Sequence, residues 1–336
     1  MREQRAESRE QRAESREHYF DFLRAALSLA VIFTHVMAQD WGASVKDEYH
    51  IAFNVYNALT WVAVPVFVMI SGSLFLRRDI SMRKLYGKYI FRIFTAFVFW
   101  SSVYALRSYV KEGASFRTTE LFITGNYHLW FLPMITGLYM ITPFMKVIAA
   151  SGKLTGYFLV LSLIFAFILP QTAGIVMNFS ERYGRLLEKF SDGFGMFFVM
   201  GYAGYFLLGY VMSKITMSRT LERVIYALGF AGVCASVISP SDRISVNVLL
   251  ESAAVFVFFR RHFASGGARI IRLLSRYSFG VYLVHVAVLN AVVRYSRLLV
   301  INPVLGIPSI AVIVFIISLT VSALLNKLPV LNKYIV

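Results

Sequence analysis

Long apolar stretches separated by short polar ones run along almost the whole chain. Ten of them are each about long enough to cross a bilayer as a helix. They lie at 19–37, 51–76, 89–107, 128–145, 155–171, 193–212, 223–239, 244–259, 277–293 and 303–325. The pattern predicts an all-α protein, a polytopic membrane bundle of about ten transmembrane helices.

The two ends of the chain differ from this pattern. Residues 1–18 are charged and include a tandem repeat, Arg-Glu-Gln-Arg-Ala-Glu-Ser, which cannot form a core. We expect this segment to be a disordered tail or a frayed helix, without catalytic chemistry. No cleavable signal peptide is expected, so the first apolar stretch is a retained span. The transmembrane domain is predicted at 19–326, followed by a short tail at 327–336.

Composition and charge support a membrane protein. The chain is 58% hydrophobic and only 15% charged, whereas soluble domains carry about 25% charged residues. A net charge of +16 can indicate nucleic-acid binding, but alternate loops hold 23 and 10 Lys and Arg residues. By the positive-inside rule, this bias puts both termini in the cytoplasm and excludes nucleic acid as a partner. The single Cys234 allows no intrachain disulfide. The oligomeric state stays open.

An arginine and a histidine interrupt the first apolar stretch. Arg24 and His35 are eleven residues apart, about three helical turns, so their side chains share one face about 16 Å apart along the axis. Asp21 and Ser28 fall on the same face. Ionisable groups inside a span usually mark a site or a pathway. The alternative is an arginine that extends to the membrane surface and a histidine satisfied by a neighbouring helix.

Cations are concentrated in the loop after the second stretch. Six Lys and Arg residues lie within sixteen positions there, and they include Lys88 and Arg92. They can clamp a phosphorylated ligand that arrives from the cytosol. The alternative is that they only set topology and contact lipid headgroups.

Other polar and aromatic residues are candidates of lower specificity. Ser71 follows Pro65 in the second stretch, where helices can pack closely or freed carbonyls can be satisfied again. The remaining candidates lie within or at the ends of later stretches: His128, Trp130, Glu251, Tyr282 and His285. The sequence contains no P-loop, no GxGxxG after a strand, no CxxC pair and no HExxH. No metal site is expected.

Five segments in order resemble the integral-membrane acyltransferase type 3 family. They are Asp21-x-x-Arg24 with His35, Val64-Pro-Val-Phe-Val-Met-Ile-Ser-Gly72, His128-Leu-Trp-Phe-Leu with Gly137-Leu-Tyr-Met-Ile-Thr-Pro143, Gly204-Tyr-Phe-Leu-Leu-Gly209-Tyr, and Ser278-Phe-Gly-Val-Tyr-Leu-Val-His285. One position departs from the family pattern of two arginines entering the third span. Arg92 fits the second, but the first is Tyr89, with Lys88 beside it.

The resemblance implies a stand-alone sugar O-acyltransferase in the bacterial inner membrane. The donor would be acyl-CoA, usually acetyl-CoA, as co-substrate, with no tightly bound cofactor. The acceptor would be a sugar or polysaccharide hydroxyl. His35 would act as a general base or carry the acyl group transiently, and Arg24, Lys88 and Arg92 would bind the donor. Possible acceptor-binding or structural residues are Asp21, Ser71, His128, Trp130, Glu251, Tyr282 and His285.

Two other functions stay open at this point. The first is a transporter of a polar or lipid-linked sugar, in which Arg24 and His35 form a binding or proton-relay pair. No internal repeat of the kind that many transporters contain is visible. The second is an assembly protein whose polar residues only fix helix packing.

Overall fold

Helices occupy all ten of the predicted apolar stretches. The computed structural model describes residues 18–39, 49–239, 242–264, 269–295 and 302–336; the N-terminal tail and most of the 38–50 loop lie outside these ranges. Within them the fold is all-α, so the predicted class, a polytopic membrane helical bundle, is confirmed. The helices are α1 His18–Met37, α2 His50–Trp61, α3 Ala63–Arg77, α4 Phe91–Glu112, α5 Phe116–Thr124, α6 Phe131–Met140, α7 Thr142–Ala150, α8 Gly152–Ser162, α9 Leu169–Phe179, α10 Glu181–Gly193, α11 Met196–Lys214, α12 Arg219–Ile238, α13 Val246–His262, α14 Arg269–Tyr295, α15 Pro303–Leu325 and α16 Pro329–Tyr334.

By length and composition, fewer than ten of the described helical segments qualify as membrane spans. In the described ranges, seven helical segments are long and apolar enough to cross a membrane, or eight if one bent pair counts as a single span. Helices α11 and α13 are outside that set, and α13 has only 17 residues. The count of ten spans and the sidedness of the termini therefore stay predictions from the sequence.

Prolines disturb the helical backbone in two of the predicted stretches. The chain bends by 54° between α6 and α7, where Pro143 lies in the first turn of α7. A six-residue π-helix, Leu163–Ile168, precedes Pro170 at the start of α9. Proline lacks the N–H of the helical ladder and clashes with the preceding turn, so the backbone rearranges locally in both places. The sequence analysis predicted each of these spans as one continuous stretch.

Two helices lie where the sequence analysis expected loops. Helix α5 follows α4 and α10 follows α9, each between two of the predicted apolar stretches. Helix α10 packs back on α9 because Gly184 has no side chain: a Cβ there would lie 2.4 Å from the Met177 Cα. Both segments are too short and too polar to be predicted from apolar stretches long enough to span a bilayer.

The closest helix crossing in the core joins α3 and α11. A Cβ on Gly72 would lie 1.8 Å from the Phe206 carbonyl oxygen, and one on Gly209 would lie 2.1 Å from the Met69 carbonyl oxygen. Ser73 Oγ reaches the carbonyl oxygens of Met69 and Gly209, each at 2.8 Å. Small residues of this kind let helix backbones approach closely in membranes. The crossing fixes α3, whose Ser71 lines the cavities described below.

Helix α1 lies at the centre of the bundle, in contact with α2, α3, α13, α14 and α15. Its first turn is tied to α14 by a hydrogen bond of 2.6 Å from Ser275 Oγ to the buried Asp21 Oδ1. This contact sets α1 and α14 side by side, so that polar residues of both helices face the same space.

Candidate functional site

A cavity of about 220 Å³ lies beside the middle of α1. His35, Ser28 and Arg24 line it from α1, which agrees with the shared face predicted from their spacing. Ser28 Oγ donates to the Arg24 carbonyl oxygen at 2.7 Å, so it is satisfied within its own helix. Arg24 and His35 therefore face one internal space, which we call the inner cavity.

Three imidazoles from separate segments meet in the inner cavity. The ring centroid of His35 lies 5.0 Å from that of His285 on α14 and 6.3 Å from that of His128. The centroids of His128 and His285 are 5.2 Å apart. Tyr282 supports this histidine cluster, since its hydroxyl donates to the His128 carbonyl oxygen at 2.6 Å.

Backbone geometry fixes the tautomer of His285. Its Nδ1 lies 2.6 Å from the Tyr282 carbonyl oxygen. A carbonyl oxygen can only accept, so Nδ1 of the neutral ring carries the proton and Nε2 offers a lone pair. The His285 side chain is buried, and its Nε2 has no hydrogen-bond partner among the described residues. The cluster thus contains a fixed acceptor next to His35.

A second, wider cavity of about 790 Å³ adjoins the first. We call it the arginine vestibule, because five arginines line it: Arg24, Arg92, Arg269, Arg272 and Arg276. The two cavities share seven lining residues: Arg24, Phe67, Ser71, Phe131, Tyr139, Ser278 and Phe279. Arg24 therefore lies at their junction, between the exposed vestibule arginines and the inner cavity.

One face of α14 supplies residues to both cavities. Arg272, Ser275 and Arg276 line the vestibule, and Tyr282 and His285 line the inner cavity. Spacings of three, four and seven residues put these side chains on one stripe of the helix. The structure extends this helix eight residues before the predicted start of the stretch at 277, back to Arg269. The sequence analysis counted its arginines only as topology signals, although their spacing shows the stripe.

Comparison with known protein families supports a function for this pair of cavities. A family model described as an acyltransferase domain, of the acyltransferase type 3 group, matches residues 17–327. The chain belongs to this family. It is a membrane acyltransferase, and the transporter and assembly-protein alternatives lose their support. No curated protein and no solved structure gives a significant match.

Two of the three predicted donor-binding residues of the acyltransferase line the vestibule. Arg24 and Arg92 line the vestibule, and Arg92 Nη2 donates to the Val336 carbonyl oxygen at 2.5 Å. Lys88 is exposed outside both cavities, with its Nζ 5.7 Å from the centre of the Tyr89 ring. Tyr89, which replaces the first family arginine, itself lines the vestibule. The basic surface there comes mostly from α14 rather than from the loop before α4.

Two buried carboxylates lie outside the cavities. Asp21 accepts the hydrogen bond from Ser275 described above. Glu251 accepts one from Ser236 Oγ at 2.6 Å, in the contact between α12 and α13. A Cβ on Gly232 would lie 3.2 Å from the Glu251 side chain, which shows how closely these helices pack. Of the two roles suggested for Asp21 and Glu251, their positions favour the structural one.

The inner cavity ends opposite the vestibule in a group of aromatic residues around an arginine. The Arg243 guanidinium carbon lies 5.2 Å from the centre of the Trp61 ring and 5.7 Å from that of Trp130. Trp130 was a predicted site residue, but Trp61 and Arg243 were not. Neither residue belongs to the five family segments, so the sequence analysis gave no signal for them.

The histidine cluster does not have the geometry of a metal centre. Within the described ranges, no group of three or more His, Cys, Asp or Glu side chains is arranged to hold a metal ion. The arrangement instead suits proton transfer and hydrogen bonding.

Proposed function

We propose that the protein transfers an acyl group, usually acetyl, from acyl-CoA to a sugar hydroxyl of a cell-surface polysaccharide or lipid-linked sugar in a bacterial inner membrane. One observation carries the proposal: an arginine-lined vestibule opens, at Arg24, into a cavity that contains His35. A polyanionic donor and a general base are the two parts that this reaction needs.

The vestibule suits the donor. Guanidinium groups bind phosphate oxygens through two parallel hydrogen bonds, and CoA carries several phosphate oxygens. The positive-inside bias puts Arg92 and the three arginines of α14 on the cytoplasmic side, where acyl-CoA is made. We assign the CoA phosphates to these arginines, and the thioester end to the junction at Arg24.

The reaction follows from this arrangement. The acceptor oxygen attacks the thioester carbonyl carbon as His35 takes the hydroxyl proton. The carbon–sulfur bond then breaks, and the proton passes from His35 to the departing thiolate, which leaves as CoA. Arg24 donates hydrogen bonds to the thioester carbonyl oxygen as negative charge develops there.

His285 has a positioning role in this mechanism. Its Nε2 lone pair, 5.0 Å between ring centres from His35, accepts the N–H of His35 once the rings approach. The second nitrogen of His35 then keeps its lone pair for the acceptor hydroxyl. This is the logic by which a third group orients a catalytic imidazole.

The test is acyl transfer by purified protein in lipid nanodiscs, with radiolabelled acetyl-CoA and polysaccharide from a strain that lacks this protein. We expect label in the polysaccharide with the wild type and a loss of about 10²–10⁴-fold with His35→Ala. His262→Ala is the matched control, because this exposed histidine also contacts a carbonyl in its own helix, at 2.9 Å, outside both cavities. Activity of His35→Ala within tenfold of the wild type would remove His35 as the base.

A further inference from the structure

Arg243 is a cation built into the inner cavity at the end away from the donor vestibule. It is half-buried and lines the same cavity as His35. In a space this small, a ligand held at Arg243 lies next to the base. The position therefore belongs to the second substrate rather than to CoA.

The surrounding residues hold Arg243 in place. Trp61 and Trp130 lie on it with ring centres at 5.2 and 5.7 Å, and the hydroxyl of the buried Tyr205 donates to its carbonyl oxygen at 2.9 Å. Its backbone N–H donates to Asp242 Oδ1 at 2.8 Å. Aromatic faces stabilise the guanidinium but satisfy none of its hydrogen-bond donors.

Among the residues that the structure describes, no carboxylate forms an ion pair with the Arg243 guanidinium. A partly desolvated cation without an anion is costly, and it gains most from a planar oxyanion that accepts two of its N–H groups. The tryptophans next to it offer apolar faces of the size of a sugar ring.

We propose that Arg243, Trp61 and Trp130 form an acceptor subsite for an acidic sugar, one that carries a carboxylate or a phosphate close to the acylated hydroxyl. The inference that the bound sugar is the acyl acceptor rests on the proposed function. Binding of an acidic sugar at this site can be tested without any acyl transfer.

The experiment measures equilibrium binding of radiolabelled probes to the full chain in nanodiscs, without acyl-CoA. Two pairs of probes each compare a charged sugar with a neutral derivative of the same sugar: oligogalacturonide against its methyl ester, and glucose 1-phosphate against methyl glucoside. We expect the wild type to bind the charged member of at least one pair about tenfold or more tightly. The pair that shows the preference distinguishes a carboxylated from a phosphorylated sugar.

Substitutions then assign the preference to Arg243. Arg243→Gln should weaken binding of the charged probe by about 10- to 100-fold and leave the neutral probe unchanged. Arg243→Lys, which keeps the charge without the planar fork, should retain part of the preference. Arg182→Gln removes an exposed cation from the same predicted side and should have no effect. Melting temperatures of all variants check that they are folded.

Two results would overturn the inference. One is a wild type that binds neither charged probe more tightly than its neutral partner. The other is an Arg243→Gln protein that keeps the full preference, or that loses both members of a pair equally. A protein that binds the charged probe but transfers no acetyl group would refute the proposed function alone.

Discussion

Replacement of His285 by alanine tests whether the histidine cluster works as a unit. The change removes the fixed Nε2 acceptor beside His35 but leaves His35 itself and both substrate ends of the site. We expect kcat for acyl transfer to fall while KM for acetyl-CoA stays near the wild-type value, because no vestibule arginine is touched.

The magnitude follows from the hydrogen bond that would be lost. His285 offers one neutral acceptor in a buried site, and a lost partner of this kind costs about 1–3 kcal/mol. If that bond is made only as His35 takes its proton, the loss appears in the barrier as a decrease of about 5- to 150-fold in kcat. Loss of His35 itself should cost about 10²–10⁴-fold.

The double variant separates this role from an independent one. If His285 acts only through His35, the combination of His35→Ala with His285→Ala should be no slower than His35→Ala alone. His285→Gln should restore part of the activity, because its amide oxygen can accept near the position of Nε2. The assay is initial-rate transfer from radiolabelled acetyl-CoA, with melting temperatures measured beside it.

Three results would refute this reasoning. Losses that multiply in the double variant would mean that His285 acts on the substrate separately. A His285→Gln protein as slow as His285→Ala would remove the acceptor role. A rise in KM for acetyl-CoA at constant kcat would place His285 in donor binding instead.

Three further predictions concern the vestibule, the core and the topology. Arg272→Gln should raise KM for acetyl-CoA by about 10- to 100-fold, and the wild-type KM should rise with ionic strength. Lys88→Gln, which removes a cation outside the cavity, should leave KM and its salt dependence unchanged. Equal KM values for the two variants would mean that the vestibule arginines only set the topology. Gly209→Leu should prevent stable folding, because even a Cβ would lie 2.1 Å from a facing carbonyl oxygen; an unchanged melting temperature in detergent would contradict the close crossing of α3 and α11. In a cysteine-free background, a Cys at Ser180 should react with an impermeant thiol reagent in intact cells, whereas one at Ser81 should react only after permeabilisation. The reverse pattern would mean that the bundle has the opposite orientation in the membrane, so that the vestibule would not face cytosolic acyl-CoA.

The sequence alone determined the class of this protein and the first half of its site. Apolar length and low charge are properties of each segment by itself, so the helical bundle follows from them without tertiary information. The shared face of Arg24 and His35 follows in the same way, because a helix fixes relative directions within one element. The ordered family segments gave the acyltransferase function, which the match over 17–327 confirms.

Tertiary structure decided which residues from different helices meet. Nothing in their spacing relates His35 to His128 and His285. His35 and His285 meet because α1 and α14 lie side by side, with a contact at Asp21 and Ser275, and the Tyr282 hydroxyl ties the segment of His128 to α14. The bend between α6 and α7 could not be predicted from the sequence either, because the effect of Pro143 depends on how neighbouring helices satisfy the freed backbone groups.

The basic residues show most clearly the difference between what the sequence determines and what the tertiary structure decides. The positive-inside count treats every Lys and Arg alike, because it depends only on their side of the membrane. Whether a cation lines a cavity depends on how its helix packs against neighbouring helices. Arg272 and Arg276 line the vestibule, whereas Lys88 does not. Arg243, a single outer cation in the sequence, becomes a candidate binding group only when the structure brings Trp61 and Trp130, from two other segments, next to its guanidinium.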